Sequence, residues 1–261
     1  MSAGGTPDLC FRAVRPHPAP AVRLVCFPHA GGTANFFRPW AVLVPDGVEV
    51  LAAKYPARET RFLDEPAQTM AELVDELAAA SAGLFDTTVA FFGHSMGASV
   101  AYELSIRLRE RHGVGPDALF VSGRGGPGRE RRPGLAEAGD DELVDAVLEL
   151  GGTDATVLRD PALRDLVLPA IRADYRLLDR YTAHRPDERS TLDVPVTAYH
   201  GSDDTDIVDA VGAWSATTRS TFRARSFPGG HFYLVGAAGD LVRDLLQHLP
   251  IATATKRKGL S

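Results

Sequence analysis

Ser95 lies in Gly93-His94-Ser95-Met96-Gly97, between the apolar run Thr88–Phe92 and a helical pattern from Met96 to Arg111. A serine set between glycines at a strand-to-helix turn is held on a sharp bend with its hydroxyl exposed, where it can attack an electrophilic carbon. Side chains at the flanking positions would collide with the neighbouring strand and helix, which accounts for the glycines. A hydroxyl is a weak nucleophile until a general base takes its proton, and the base needs an acid to orient it. In sites of this kind the three groups follow in the order Ser, Asp or Glu, His. The chain supplies Gly201-Ser202-Asp203-Asp204 directly after the apolar run Val194–His200, with Asp206 two residues on. It then supplies Phe227-Pro228-Gly229-Gly230-His231-Phe232, a turn that presents His231. Spacing alone does not separate Asp203 from Asp204.

The remaining histidines suit the base role less well. His17 is near the N-terminus, His112 ends a helical pattern, His184 borders a helical insertion and His248 belongs to a C-terminal helical pattern. His94 reads as core packing beside the nucleophile, and His200, at the end of a strand, as structural. Acyl transfer also needs donors for the oxyanion. The backbone N–H of Met96 is one, and the turn His29-Ala30-Gly31-Gly32 after an early strand offers Ala30 N–H as the other. Each such donor contributes roughly 2.7–4 kcal/mol to transition-state stabilisation.

These groups must be carried by elements that end at one edge. Apolar runs at Val22–Phe27, Val48–Lys54, Thr88–Phe92, Ala118–Ser122 and Val194–His200 alternate with helical patterns. Continuous apolar strands of this kind predict a mostly parallel central sheet flanked by helices, in one α/β domain. Thr69–Leu84 reads as a helix, its start marked by capping-box spacing between Thr69 and Glu72. The alternation breaks between 124 and 190, where helical patterns occur at 140–150, 160–170 and 171–181. An insertion there is expected to cap the strand ends, where ligands bind in open α/β sheets. Pocket width is expected to depend on that insertion and on Phe36, Phe37 and Trp40, whose pattern suits a core equally.

Composition excludes several classes. The 261 residues carry 28 basic and 34 acidic side chains, a net −6 that argues against a general nucleic-acid binder. Two cysteines make no disulfide framework, and Cys26 within an apolar strand reads as a buried thiol. No apolar run approaches a membrane span, no signal sequence is evident, and a cytoplasmic location is expected. HExxH, CxxC and P-loop patterns are absent, so no metal or organic cofactor is expected. From Arg107 to Arg132 seven arginines face three acids, a local excess of +4 that makes this segment a candidate for attracting an acidic partner.

Taken together, the sequence resembles the type II thioesterases that accompany polyketide and nonribosomal peptide synthases. The resemblance spans nearly the whole chain. It rests on Phe27-Pro28-His29-Ala30-Gly31-Gly32, Tyr55-Pro56-Ala57-Arg58-Glu59, Gly93–Gly97, Leu150-Gly151-Gly152, Arg172-Ala173-Asp174-Tyr175, the acid loop and Gly229-Gly230-His231-Phe232. It implies an α/β-hydrolase fold over residues 1–261 with a helical lid insertion at 124–190. It implies Ser95, Asp204 and His231 as the catalytic residues, selecting Asp204 over Asp203 by its distance from the loop glycine. It also points to Tyr175, with Phe36, Phe37 and Trp40, as substrate-binding. The implied substrate is an acyl group held as a thioester on the phosphopantetheine arm of an acyl or peptidyl carrier protein, hydrolysed for editing or release. A generic carboxylesterase and an acyl-transferring or cyclising thioesterase would use the same acyl-serine. One departure is Ala57, where the family commonly has glycine. If the position requires a positive φ, the turn is strained.

Overall fold

Alternate residues of the central strands seal two opposite faces. Leu24 and Cys26 pack with Phe37, Trp40, Phe92 and Leu241 on one side, while Val25 and Phe27 pack with Leu77, Val100 and Tyr102 on the other. The computed structural model describes residues 7–129, 134–152, 155–181, 187 and 190–249. Its elements begin with α1 (Pro7–Cys10), β1 (Phe11–Arg15), β2 (Val22–Phe27), a 3-10 helix (Ala34–Val42), β3 (Val48–Ala53) and a 3-10 turn (Glu59–Arg61). Next come α2 (Met70–Ala80), β4 (Thr88–His94), α3 (Met96–His112) and β5 (Ala118–Ser122). The insertion contributes α4 (Asp140–Leu150), α5 (Ala155–Arg159) and α6 (Pro161–Arg180). β6 (Val196–Gly201), α7 (Thr205–Val208), a 3-10 helix (Val211–Thr217), β7 (Phe222–Phe227), α8 (Tyr233–Gly236) and α9 (Ala238–Gln247) complete the order. The sheet runs β1-β3-β2-β4-β5-β6-β7, parallel except that β1 pairs antiparallel with β3.

The two edge strands, β1 and β7, are absent from the sequence expectation. Neither is a continuous apolar run, because an edge strand half-faces water. In β7 the alternating Arg223 and Arg225 both bond Asp244 of α9, which also accepts from Tyr199 of β6. Burial pushes the Asp244 carboxyl up, but the bonds from Arg223, Tyr199 and Arg225 outweigh it and hold the group down at about 2. This knot fixes α9 against β6 and β7.

Thr69 caps α2 as expected, its hydroxyl accepting from Glu72 N at 3.2 Å, although the helix stops at Ala80 rather than Leu84. The two helices expected over 160–181 are one. Asp160 caps its start by accepting from the N–H groups of Ala162 and Leu163, and the helix runs through Pro169. A proline forfeits one helical bond, and here the buried face of Leu168, Ile171, Tyr175 and Leu178 keeps the helix continuous. Both cysteines are free and buried. No helix among the described residues is long and apolar enough to cross a membrane.

Among the described residues, the arginine-rich segment does not form a continuous basic face. Arg107 and Arg111 both close on Asp75 of α2, Arg109 donates to the Thr191 carbonyl, and Arg124 is buried with its Nε on Ser99. Arg129 is exposed. Arg131 and Arg132 lie outside the described residues.

Ala57 has φ +64°, the left-handed region that a Cβ penalises and glycine occupies freely. Ala57→Gly is therefore expected to stabilise the fold by about 0.5–1 kcal/mol after the extra chain entropy of glycine is subtracted. In thermal unfolding the midpoint should rise by roughly 2–4 °C per kcal/mol gained. A fall in the midpoint would contradict strain at this residue.

Candidate active site

β2 leads away to β3 on one side, and β4 then returns to the other side of β2. The loops leaving β2 and β4 therefore diverge, opening a crevice at the carboxyl ends of the strands. The His29–Gly32 turn and Ser95 sit at this point. Ser95 has φ +54° and ψ −118°, and its N–H donates to the Ser122 carbonyl of the adjacent strand at 2.7 Å. A Cβ on Gly93 would lie 2.0 Å from the Gly97 carbonyl oxygen, and one on Gly97 would lie 2.0 Å from that of Phe27. The bend thus exists only because both flanks lack side chains.

The neighbouring strands β6 and β7 bring the acid and the histidine together. Ser202 N–H donates to Phe227 O at 2.8 Å and Asp203 N–H to Gly229 O at 3.0 Å, which locks the two loops side by side. His231 Nδ1 then lies 2.7 Å from Asp204 Oδ2, with the side chains 13% and 12% exposed. The carboxylate holds the proton on Nδ1 and leaves Nε2 as the basic nitrogen. Spacing does not distinguish the two acids, but their partners differ: the Asp203 carboxylate accepts from Ser202 Oγ. Ala30, Ser95, Asp204 and His231 line one cleft of about 830 Å³. Met96 is wholly buried, and its N–H is the first of α3.

Two further histidines lie close to His231. His94 is fully buried, with its ring 5.1 Å from that of His231. Its Nδ1 meets Ser122 Oγ at 2.9 Å, and Ser122 Oγ meets the Tyr233 hydroxyl at 2.7 Å. Burial first, and then the neighbouring imidazoles, hold His94 well below the ordinary imidazole range. Burial, with help from His231 and Arg58, lowers His29 to about 3. Both rings stay neutral at physiological pH and serve as packing. The Phe232 ring touches His29, His94 and His231 at centroid distances of 4.7, 5.0 and 5.3 Å. A Cβ on Gly152, just past α4, would fall 1.8 Å from Phe232 Cζ. The second glycine of the Gly151-Gly152 pair therefore lets the insertion close on the phenyl ring beside His231.

The Tyr55–Glu59 segment braces the turn after β2. Tyr55 OH donates to Pro28 O at 3.1 Å, and Ala34 N–H donates to Glu59 Oε2 at 2.9 Å. Arg58 forms a buried two-pronged pair with Asp174 of α6, at 2.6 and 2.8 Å. The sequence motifs give neither Arg58 nor Asp174 a role. A signal was present, because Asp174 falls on the otherwise apolar face of α6, and a charge there demands a partner.

The expected substrate-binding residues divide. Tyr175 lines the cleft, beside Leu150 and Leu178 of the insertion. Phe37 and Trp40 do not: both are fully buried against Phe92, at 6.0 and 4.8 Å between ring centroids, on the sheet face packed by α9. The 3-10 helix after the turn carries them under the sheet, so their aromatic spacing records core packing. Phe36 stacks edge-on behind His29 and Phe232 rather than into the cleft.

Comparison with known proteins agrees with this arrangement. A family model for the thioesterase domain matches residues 22–249. The chain is 39% identical over 243 residues to thioesterase PikA5 of Streptomyces venezuelae, covering 92% of this chain and 85% of that one. It is 31% identical to the gramicidin S biosynthesis protein GrsT of Aneurinibacillus migulanus, covering 91% and 93%. The solved structure of the type II thioesterase BorB from the borrelidin biosynthetic cluster superposes with a TM-score of 0.83 at 38% identity, covering 93% of this chain and 98% of that one. With the family match spanning the sheet and everything mounted on it, the chain belongs to the thioesterase family and has its α/β-hydrolase fold.

Proposed function

We propose that this thioesterase hydrolyses acyl groups from the phosphopantetheine arm of an acyl or peptidyl carrier protein, for editing or release, through an acyl-Ser95 intermediate. The 2.7 Å bond between Asp204 and His231, in the cleft shared with Ser95 and Ala30, is the observation that carries the reading. Ser95 Oγ attacks the thioester carbonyl while His231 Nε2 takes its proton. The N–H groups of Ala30 and Met96 hold the oxyanion, and Asp204 stabilises the imidazolium. Collapse breaks the carbon–sulfur bond. The leaving thiol, with a reference pKa of about 8.5, needs less proton donation than an amine would. His231 protonates it, then takes a proton from water, which attacks the acyl carbon and releases the free acid and Ser95.

The insertion serves as the lid in this reading. Ala146, Glu149 and Leu150 of α4, with Tyr175 and Leu178 of α6, form one wall of the cleft. A volume of about 830 Å³ suits an extended ligand arm, since such sites typically span about 300–1,000 Å³.

Intact-mass labelling with a fluorophosphonate and turnover of an acyl-carrier substrate test the proposal. One adduct per chain is expected, absent in Ser95→Ala, with the free acid as product. Absence of labelling would remove the acyl-serine. Faster turnover of matched oxygen esters than of thioesters would indicate a carboxylesterase, and a ligated or cyclised product an acyltransferase.

A further inference from the structure

The buried pair between Arg58 and Asp174 grips the turn that carries Ala30. Asp174 Oδ2 accepts the Gly31 N–H at 2.7 Å and Arg58 Nη1 at 2.6 Å, while Oδ1 accepts Arg58 Nη2 at 2.8 Å. Arg58 Nη1 also reaches the Gly32 carbonyl at 3.3 Å, and its Nε donates to the Pro56 carbonyl at 3.0 Å. The N–H of Gly31 and the C=O of Gly32 are thus held by one ion pair whose side chains are only 7% and 8% exposed. Gly31 itself has φ +72°, and a Cβ there would lie 2.7 Å from Ile171 Cγ1, one turn before Asp174 on α6. Two glycines in succession would otherwise be the most mobile joint in the turn.

We propose that Asp174 is a positioning residue for the oxyanion-binding turn, acting through Gly31 and Arg58, so that helix α6 is part of the catalytic frame as well as its cover. The proposal rests on the reading of Ala30 N–H as an oxyanion donor. Charge explains why both partners are present. A lone carboxylate would hold the Gly31 N–H equally well, yet its negative charge beside the turn would oppose the developing oxyanion. Arg58 neutralises it and adds a second point of attachment. Hydrophobic replacement of a buried pair is often neutral or stabilising. Stability alone therefore does not account for this pair, whereas orientation of the Gly31 N–H does.

The test uses Asp174→Asn and the double variant Arg58→Met/Asp174→Leu, the latter removing both buried charges so that the fold is kept. Hydrolysis of butyryl-N-acetylcysteamine is followed alongside thermal unfolding and the fraction of chains labelled by fluorophosphonate. Asparagine retains an acceptor for Gly31, and kcat is expected to fall about 10-fold. In the double variant it should fall about 100-fold, the scale of an angstrom-size misplacement or a lost oxyanion donor. KM should stay within about threefold, the pH profile should be unchanged and every chain should still label. A purely structural role would instead lower the labelled fraction or raise KM. Either of those results, or a kcat within about twofold of the parent in both folded variants, overturns the proposal. Ser95→Ala in the same assay distinguishes the two levels. Activity surviving there overturns the acyl-serine reading, whereas an inactive Ser95→Ala beside undiminished Asp174 variants overturns the positioning role alone.

Discussion

Asp204→Asn is expected to lower kcat about 10⁴-fold with the fold intact, while Asp203→Asn should leave kcat within about threefold. The difference follows from one hydrogen bond. His231 donates Nδ1–H to Asp204 Oδ2 at 2.7 Å, which keeps Nε2 free to accept the serine proton. An asparagine amide donates to Nδ1 as readily as it accepts. The ring can then settle in the other tautomer, with its proton on Nε2, where it no longer serves as a base. Asparagine also removes the negative charge that stabilises the imidazolium, in a pair only 12–13% exposed and therefore weakly screened. Among the described residues the Asp203 side chain accepts from Ser202 Oγ alone, and the backbone bond from Asp203 N–H to Gly229 O survives its substitution. Steady-state hydrolysis of a soluble thioester by the two purified variants, with thermal midpoints recorded for both, decides the matter. The reverse ranking would move the acid to Asp203.

Ser95, His231 and the turn at Ala30 are legible in the sequence because each sits where an apolar strand gives way to glycine, and both signals are local. The partner of His231 is half legible. Its loop is marked by the strand before it, but the choice between adjacent aspartates depends on how that loop bonds to the one after β7. Phe37 and Trp40 show the same boundary from another side. Aromatic spacing marks them as buried, and only the path of the chain after Gly32 determines whether they face the cleft or the sheet. Edge strands escape detection because β7 alternates arginine with apolar residues, and those arginines make sense only beside Asp244 on a later helix. Arg58 and Asp174 are 116 positions apart, so no periodicity links them. The helical insertion is evident as a break in strand alternation, whereas its contacts with the turn at Gly31 and with Phe232 are tertiary. Sequence pattern thus locates chemical groups at the ends of elements, and long-range packing sets which neighbours support them.

Gly97→Ala should be among the most damaging single methyl groups that can be added near the site. Its Cβ would stand 2.0 Å from Phe27 O, 2.5 Å from Phe27 C and 2.7 Å from Pro28 O. These are backbone atoms at the end of β2, and no rotamer change relieves the contact. Phe27 is fully buried and is hydrogen-bonded within the sheet, in register with Gly93 of β4. Overpacking a well-filled core typically costs about 1–3 kcal/mol, and a backbone clash that cannot relax belongs at or above the top of that range. At roughly 2–4 °C per kcal/mol for a chain of this size, the thermal midpoint should drop by about 6–12 °C or more, or soluble protein should be lost. Where folded protein is recovered, activity should fall further than stability. The strand end that must retreat runs directly into His29 and Ala30, so relief of the clash moves the turn away from Ser95. Gly93→Ala strikes Gly97 and Ala98 within the same bend, and the two substitutions should give similar losses of stability. Gly97→Ala should be the more harmful to kcat in whatever protein folds, because it displaces the turn at Ala30 as well as Ser95. Equal midpoints for Gly97→Ala and the parent would mean that α3 can shift along its axis to admit the methyl. The turn after β2 and the bend at Ser95 would then not be rigidly coupled.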